Sequence, residues 1–184
     1  MRQALAIIAL VWIGIGCSKD KSPSPPSQPS GLKLSPKPEV KRGPDSPEAL
    51  ARACADAMWE SDRASRALGM RIESVGPGAA LLTMTVTPDM ANGHGICHGG
   101  YIFTLADSAF AFACNTYGKV TVAQSNAITY LRPGEVGETL SAQAREVALS
   151  GRSGLYDVRV TGGDGSVVAE FRGQSRATGR DILG

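Results

Sequence analysis

The sequence predicts one α+β domain in which an antiparallel sheet wraps around a single central apolar helix. Three observations lead to this fold class. Residues 101–114 are almost wholly apolar or small, which is typical of a helix buried on nearly all sides. Two alternating runs before this helix predict a hairpin, and four extended runs follow it. A chain of 184 residues has room for one such domain with tails.

The first 16 residues resemble an export signal. Arg2 is followed by an uncharged apolar segment that is too short to cross a bilayer but typical of a signal peptide. Cys17 then stands as at a lipoprotein cleavage site, although such sites usually carry leucine where this chain has Gly14. The alternative interpretation is that translation begins downstream, at a residue such as Val40.

Residues 18–44 are rich in proline, serine and lysine and predict a disordered tether. Ser46-Pro47-Glu48 then predicts the start of a helix, with serine as N-cap, proline at the first helical position and an acid in the first turn. We therefore predict a signal-like segment and tether, or a gene-model extension, over residues 1–45. The folded domain is predicted to span residues 46–184.

The remaining elements follow from turn signals and alternation. The first helical region should end at Gly69, and the leading hairpin should pair residues 70–75 with residues 79–86. After the central helix, the chain shows four further extended runs, at residues 120–131, 139–149, 155–161 and 166–175. Tight turns between them predict an antiparallel meander.

Composition limits the classes of partner. A net charge of +2 without a basic stripe gives little support to nucleic-acid binding, although a modestly basic surface suits an anionic small molecule. The four cysteines, Cys17, Cys54, Cys97 and Cys114, include no CxxC pair. We expect reduced thiols rather than a disulfide framework.

One acid, Asp107, lies inside the otherwise apolar central helix. Burying an unpaired carboxylate is costly, so Asp107 must be neutral, be hydrogen-bonded, or open onto a cavity. The first two interpretations are structural, and the third favours catalysis. A partly desolvated carboxylate is a stronger base and a better nucleophile than a solvated one. We therefore predict a catalytic role for Asp107.

Gly99 and Gly100 stand where the central helix should begin. Their N–H groups are predicted to lack partners within the helix and to point outward at its positive end, which suits a developing oxyanion. The alternative is that the two glycines only form the turn.

The spacing between these groups predicts a dimer. Asp107 follows Gly99 by eight residues, or roughly 12 Å along a helix axis. Two groups that act on one carbonyl must each lie about 3 Å from it. If two chains pack with their central helices antiparallel, the amides of one chain face the carboxylate of the other. An obligate dimer with shared sites is therefore expected.

The polar residues of the preceding loop allow several interpretations. His94, Cys97 and His98 resemble a partial metal cluster but offer no clear fourth ligand, so no metal is expected. Cys97 beside His98 suggests a thiol nucleophile, yet adjacent side chains rarely orient together. We expect His98 to shape the loop or contact substrate, and Asn92 to hold a substrate carbonyl or water. Each can also simply brace the loop.

Several stretches together resemble the hot-dog fold thioesterases, and specifically the phenylacetic acid degradation thioesterase family, which cleaves phenylacetyl-CoA and hydroxyphenylacetyl-CoA. The resemblance begins near Ala49, and its motifs are ADAMWESDRASRALGM (55–70), NGHGICHGG (92–100), LADSAFAFACN (105–115), YLRPG (130–134), GRSGLYDV (151–158) and EFRGQSR (170–176). Residues before about position 45 fall outside it.

The resemblance implies a hot-dog fold, assembled as a dimer and then a tetramer, that hydrolyses an acyl-CoA thioester. Asp107 takes the place of the family's catalytic carboxylate, as nucleophile or general base, and Gly99 that of the amide polarising the thioester carbonyl. Asn92 and His98 match the remaining polar members of the motif. The residues expected to contact coenzyme A are Gly100, Arg152 and Ser153.

The resemblance also implies a cytoplasmic protein, because acyl-CoA is made and kept there; membrane attachment is expected only if Cys17 is lipidated. No cofactor is expected, since coenzyme A is part of the substrate.

Two other functions are weighed against the hydrolase. A non-catalytic acyl-CoA binding or sensing module would not need Asp107. A hot-dog dehydratase would need a histidine paired with an acidic partner on the helix, which this sequence does not arrange. Acyl specificity does not follow from the sequence: Phe103, Phe110 and Phe112 are spaced like core residues but are also compatible with an aromatic pocket.

Overall fold

A computed structural model describes residues 44–184. The predictions for the signal-like segment, Cys17 and the tether up to residue 43 lie outside the described residues. Helix α1 (Pro47–Ser61) begins as predicted, with the Ser46 Oγ accepting the N–H of Ala49 at 3.1 Å. Helix α2 (Arg63–Ala67) follows at once. In the part of the chain that the structure describes, no helix is both long and apolar enough to cross a membrane.

The helical region ends at Gly69, as predicted, but Asp62 divides it. The Asp62 carboxylate accepts the N–H of Ser65 at 3.0 Å and so caps α2, while its own N–H closes the last turn of α1. Gly69 then takes a positive φ of 66°, which favours glycine and turns the chain into the sheet.

The sheet elements and the central helix follow in the expected order. They are β1 (Arg71–Gly76), β2 (Ala79–Thr85), a single 3₁₀ turn (Pro88–Met90), α3 (Gly99–Cys114), β3 (Lys119–Tyr130), β4 (Thr139–Ser150), β5 (Ser153–Thr161) and β6 (Val167–Asp181). The strands form one six-stranded sheet in the order β1-β2-β4-β5-β6-β3, and every neighbouring pair is antiparallel. The α+β class and the leading hairpin are confirmed.

The predicted four-stranded meander is wrong in one strand. Strands β4, β5 and β6 form a meander, but β3 pairs with β6 and lies at the far edge of the sheet. Strand β6 also continues to Asp181 rather than ending near residue 175, because its last residues pair with the start of β3. Those residues are mostly polar and carry no clear alternation, so turn signals could not reveal the pairing.

Helix α3 packs against the inner face of the sheet and contacts strands β1 to β6. Ala106, Ala109 and Ala113 are fully buried and let the helix approach the strands closely. Phe110 is buried against Tyr156, and a Cβ added at Gly173 would lie 3.0 Å from the Phe110 ring. The fold therefore holds α3 rigidly along its length.

The aromatic residues of α3 divide between core and margin. Phe110 and Phe112 are buried, so their assignment to the core is confirmed. Phe103 is only half-buried and packs edge-on against Phe171, with ring centroids 5.5 Å apart. Of the three rings, Phe103 alone is partly open to solvent.

Strand β3 forms a long and exposed edge of the sheet. It spans 12 residues and, among the strands of residues 44–184, has a neighbour, β6, on only one side. Val122 and Tyr130 on this strand are about half exposed, at 48% and 47%. An edge of this kind presents unpaired backbone groups to a further strand.

The expectation of reduced thiols is confirmed for the described cysteines. Cys54, Cys97 and Cys114 are all buried and free. They lie in the helices and loop as small apolar side chains rather than as cross-links.

Candidate active site

The loop before α3 is closed by Asn92. Its side-chain oxygen accepts the N–H of His94 at 2.8 Å, and its backbone exchanges hydrogen bonds with Ile96 and Gly95. Gly95 has a positive φ of 76°, which this tight turn requires. Asn92 therefore braces the loop through its oxygen. Its NH₂ group donates to no acceptor within residues 44–184 and is free to meet a ligand.

His98 caps the N-terminus of α3. Its Nδ1 accepts the N–H of Gly100 at 3.0 Å, while its own N–H donates to the carbonyl of Met90 at 2.8 Å. The prediction that both glycine amides are free is therefore wrong for Gly100. Sequence reasoning counted His98 as a loop or substrate residue and overlooked that a histidine ring nitrogen can serve as a helix cap.

Gly99 keeps a free amide. Among the described residues, no acceptor is bonded to its N–H. Gly99 is half-buried at the first position of α3, where the partial positive charge of the helix N-terminus lies. The structure thus leaves one backbone donor, rather than the predicted two, to bind an oxyanion.

Tyr130 lies directly against Gly99. Its hydroxyl donates to the Gly99 carbonyl at 2.9 Å, and its ring would lie 3.1 Å from a Cβ added at Gly99. Tyr130 belongs to the YLRPG motif (130–134), and the sequence alone gives it no role in the site. Residues 99 and 130 come together only because the end of β3 lies beside the start of α3.

Asp107 is half-buried near the middle of α3. Asn126 on β3 donates its side-chain NH₂ to the Asp107 Oδ1 at 2.8 Å. Burial raises the pKa of Asp107 above its ordinary value, and the hydrogen bond from Asn126 opposes that rise. The carboxylate is thus held in place by one donor while its basicity is increased by desolvation.

Asn126 was missed by sequence reasoning. Its own side-chain oxygen is buried and, within residues 44–184, receives no hydrogen bond. A polar residue in an alternating strand gives no sign that it faces a carboxylate 19 positions earlier. Even its face of the sheet is obscured, because a bulge between Ala123 and Ser125 shifts the alternation.

The two groups of one chain are too far apart to act on one carbonyl. Gly99 and Asp107 lie on the same uninterrupted helix, eight residues apart, which places them roughly 12 Å apart along the axis and turned by about 80° around it. The chain therefore presents the amide donor and the carboxylate as two separate groups.

Arg152 and Ser153 lie at the hairpin turn between β4 and β5, away from Asp107. Arg152 is exposed, and the Ser153 hydroxyl accepts from the Arg176 guanidinium at 3.1 Å. In the sheet register, Arg176 stands opposite both Ser153 and Val122, whereas Asn126 stands opposite Gly173. The offset along β3 is about 13 Å. The structure does not bring this turn to the carboxylate within one chain.

A cavity of about 390 Å³ opens beside Gly99. Its lining is mostly apolar, and residues that matter to its chemistry are Asn92, Gly99, Ile102, Tyr130, Leu131 and Pro133. Arg132 also borders it, but its guanidinium is paired with Glu138 at 2.7 Å. The cavity therefore suits an apolar group attached to a carbonyl that reaches the Gly99 amide.

The thiol and metal alternatives gain no support from the geometry. Burial raises the pKa of Cys97, which favours the thiol over the nucleophilic thiolate. The Cys97 Sγ lies 3.6 Å from the carbonyl of His98, not beside a base. Over residues 44–184, no three His, Cys, Asp or Glu side chains converge as a ligand set.

Known proteins resemble the chain in both sequence and structure. Residues 94–169 match the family model described as thioesterase superfamily. The acyl-coenzyme A thioesterase PaaI of Escherichia coli K12 is 46% identical over 130 residues, covering 71% of this chain and 93% of that protein.

Two solved structures extend the comparison. The E. coli PaaI protein from the phenylacetic acid degradation operon superposes with a TM-score of 0.73 at 44% identity, covering 74% of this chain and 99% of that one. A Streptococcus mutans protein bound to acetyl-CoA gives a TM-score of 0.59 at 30% identity, covering 61% of this chain and 90% of that one.

Proposed function

Because the chain belongs to the thioesterase superfamily and is an acyl-CoA thioesterase, we propose that Asp107 and Gly99 are the two halves of its catalytic site. The observation that carries this proposal is the environment of Asp107. A half-buried carboxylate with a raised pKa, aligned by one amide donor, is suited to act as a base or nucleophile.

The reaction divides between the two halves. The Gly99 N–H binds the thioester oxygen as negative charge develops on it. Asp107 removes a proton from water, whose oxygen attacks the carbonyl carbon, and collapse of the tetrahedral intermediate breaks the C–S bond. The departing thiolate then takes up a proton. Alternatively, Asp107 itself attacks and forms an anhydride that water hydrolyses. Label recovered in Asp107 after single-turnover hydrolysis in ¹⁸O-water identifies the second route, with water attacking the Asp107 carboxyl carbon, because the first route never places solvent oxygen in Asp107.

A homodimer brings the halves together. Each chain presents an amide at the start of α3 and a carboxylate in its middle, so two chains related by a two-fold axis form two complete sites. The exposed edge of β3 supports such a pairing, since Asn126 lies on that strand and holds Asp107. We propose further that two such dimers associate as a tetramer.

The proposed substrate is an arylacetyl-CoA, either phenylacetyl-CoA or hydroxyphenylacetyl-CoA, and the proposed role is in phenylacetate degradation. The similarity to E. coli PaaI supports this substrate class. The apolar cavity beside Gly99 adds support, since it offers apolar walls next to the oxyanion donor.

Coenzyme A is proposed to lie along a path that reaches exposed polar groups. Arg152 and Ser153 offer a guanidinium and a hydroxyl at the β4–β5 turn. Gly100 can contribute close backbone approach, but not its N–H, which His98 occupies.

We also propose a cytoplasmic location, where acyl-CoA is present. N-terminal sequencing of the native protein tests this, since an acylated Cys17 would contradict it.

Substitution of Asp107 by asparagine tests the function. The amide keeps the shape and the contact with Asn126 but cannot take a proton, so the rate of phenylacetyl-CoA hydrolysis should fall about 10²–10⁴-fold. Release of free thiol measures the rate, and size-exclusion chromatography checks the oligomer. Asp56→Asn is the matched control, because Asp56 is an exposed carboxylate of α1 that, within residues 44–184, pairs only with Arg52.

The outcomes separate the hydrolase from its alternatives. If Asp107→Asn retains full turnover, Asp107 is not catalytic. If the wild-type chain binds acyl-CoA without releasing thiol, the non-catalytic binding module is favoured. A panel of esters then defines the acyl group, and a preference for straight-chain esters would contradict the arylacetyl proposal.

A further inference from the structure

We propose that Tyr130 is a positioning residue that holds the oxyanion-binding turn of α3 in its active geometry. This inference rests on the proposed function, in which the Gly99 N–H binds the thioester oxygen. It concerns a residue that contacts neither reacting atom and acts through the backbone of Gly99 and Gly100.

A continuous chain of hydrogen bonds runs through one peptide group. The Tyr130 hydroxyl donates to the carbonyl of Gly99 at 2.9 Å. The N–H of the same peptide group, which belongs to Gly100, donates to Nδ1 of His98 at 3.0 Å. Both polar ends of this peptide are thus held by side chains. Bonds arranged in series polarise one another, so each strengthens the next.

Tyr130 and His98 together form a clamp on this peptide group. The turn needs the clamp because it consists of two glycines. Glycine has more backbone freedom than any other residue, and the direction of the Gly99 N–H depends on the torsion angles beside it. The His98 N–H is already fixed on Met90, on one side of Gly99. Tyr130 and His98 fix the peptide on the other side, so the free amide is preorganised.

The Tyr130 ring contributes to the same clamp. A Cβ at Gly99 would meet the ring at 3.1–3.4 Å, so the ring lies closely against the Gly99 backbone. Because Tyr130 ends β3, the clamp ties the start of α3 to the edge strand that also carries Asn126. Strand β3 therefore supports both groups that one chain contributes. It holds the Gly99 amide through Tyr130 and the Asp107 carboxylate through Asn126.

The clamp also selects the tautomer of neutral His98. A ring nitrogen that accepts a hydrogen bond carries no proton, so neutral His98 bears its proton on Nε2. The second ring nitrogen of His98 is consequently a donor. Tyr130, by polarising the Gly99–Gly100 peptide, strengthens the bond that selects this tautomer.

Tyr130→Phe keeps the ring and removes the hydroxyl. We expect kcat to fall about tenfold with KM changed less than about twofold, since the loss of one hydrogen bond affects the oxyanion more than substrate binding. Tyr117→Phe is the matched control. Tyr117 is similarly exposed, at 42% against 47%, and its hydroxyl bonds Glu146 beyond the opposite end of α3.

Hydrogen exchange at the Gly100 amide provides a readout that does not depend on turnover. Measured by NMR, exchange should be about five- to tenfold faster in Tyr130→Phe than in wild type and unchanged in Tyr117→Phe. A double-mutant cycle adds a further test. The kcat losses of Tyr130→Phe and His98→Ala should be less than multiplicative, because both residues hold one peptide.

Each outcome decides the proposal. An unchanged exchange rate, or an unchanged kcat in a folded Tyr130→Phe protein, overturns the role of Tyr130. Multiplicative losses in the cycle also contradict it. A wild-type protein that hydrolyses no thioester refutes the proposed function itself, and that result is distinct from an active wild type that tolerates Tyr130→Phe.

Discussion

The two proposed half-sites on α3 are built in opposite ways. At the helix N-terminus, the donor is a backbone amide, and mostly local bonds from Asn92 and His98 arrange the loop around it. In the middle of the helix, the proposed reactive group is a side chain, and its one hydrogen-bond partner within residues 44–184, Asn126, comes from a distant strand. The loop therefore positions the amide, whereas the sheet positions the carboxylate.

This difference explains why the two halves respond to different forces. The Gly99 amide depends on helix capping and the partial positive charge at the helix start, which the local chain creates. The basicity of Asp107 depends on burial against β3, which only the packed sheet supplies. Mutations in the loop should therefore alter oxyanion binding, and mutations in β3 should alter the base.

The largest expected effect comes from combining the two halves across chains. Gly99→Pro removes the amide proton at a helix position that tolerates proline, and Asp107→Asn removes the base, so each variant alone should be nearly inactive. In a mixed dimer, one site has both a wild-type Gly99 and a wild-type Asp107. Random mixing should therefore restore about a quarter of wild-type turnover.

Subunit exchange of the two purified variants, followed by the thiol-release assay, measures this recovery. Gly99→Ala serves as the control for Gly99→Pro, because alanine also crowds Tyr130 but keeps the N–H. If mixtures that have exchanged subunits stay inactive, the sites are not shared between chains.

A smaller effect is expected at Asn126. Asn126→Ala removes the donor that opposes the rise in the Asp107 pKa, so that pKa should rise further. Because the ionised carboxylate is the base, the acid limb of the pH profile of kcat should move to higher pH. Within that limb, the rate at a fixed pH should fall about tenfold for each unit by which the pKa rises. Gln124→Ala, an exposed change on the same strand, should leave the profile in place.

The smallest expected effect is on stability. Burial raises the pKa of Asp107 in the folded protein, so its ionised form destabilises the fold as pH rises from the unfolded pKa through the folded one. Asp107→Asn should therefore raise Tm at pH 7, by about 2–4 °C for each kcal/mol of relieved desolvation in a domain of this size. The gain should disappear by about pH 2.5, well below the ordinary Asp pKa of about 3.9, where the acid is protonated in both states. Calorimetry at both pH values measures it, and a lower Tm at pH 7 would contradict the argument.

Much of the fold could be predicted because its signals are local. Ser46 as helix cap, the leading hairpin, the buried central helix and the pairing of β4 with β5 and of β5 with β6 all agree with the structure. The position of β3 could not be predicted. Alternation shows that a segment is a strand but does not identify its neighbour, and β3 pairs with the last strand of the chain.

The site residues also divide into those that local sequence predicts and those that it does not. The predicted residues Asn92, His98 and Gly99 lie together in one loop and helix start because they are close in sequence. The capping of Gly100 by His98 was missed, although a histidine at an N-cap position was visible in the sequence. Asn126 and Tyr130 were missed for another reason, since their contacts with Asp107 and Gly99 cross the sheet edge.

The sequence by itself determined where the chemical groups stand along one helix: an amide at its start, an acid eight residues later, and an axial separation that one carbonyl cannot bridge. Those facts follow from helix geometry and need no partner. The tertiary structure decided how each group behaves. Burial against β3 raises the pKa of Asp107, and contact with the end of β3 holds Gly99, because desolvation and long-range hydrogen bonds exist only once the sheet has packed around α3.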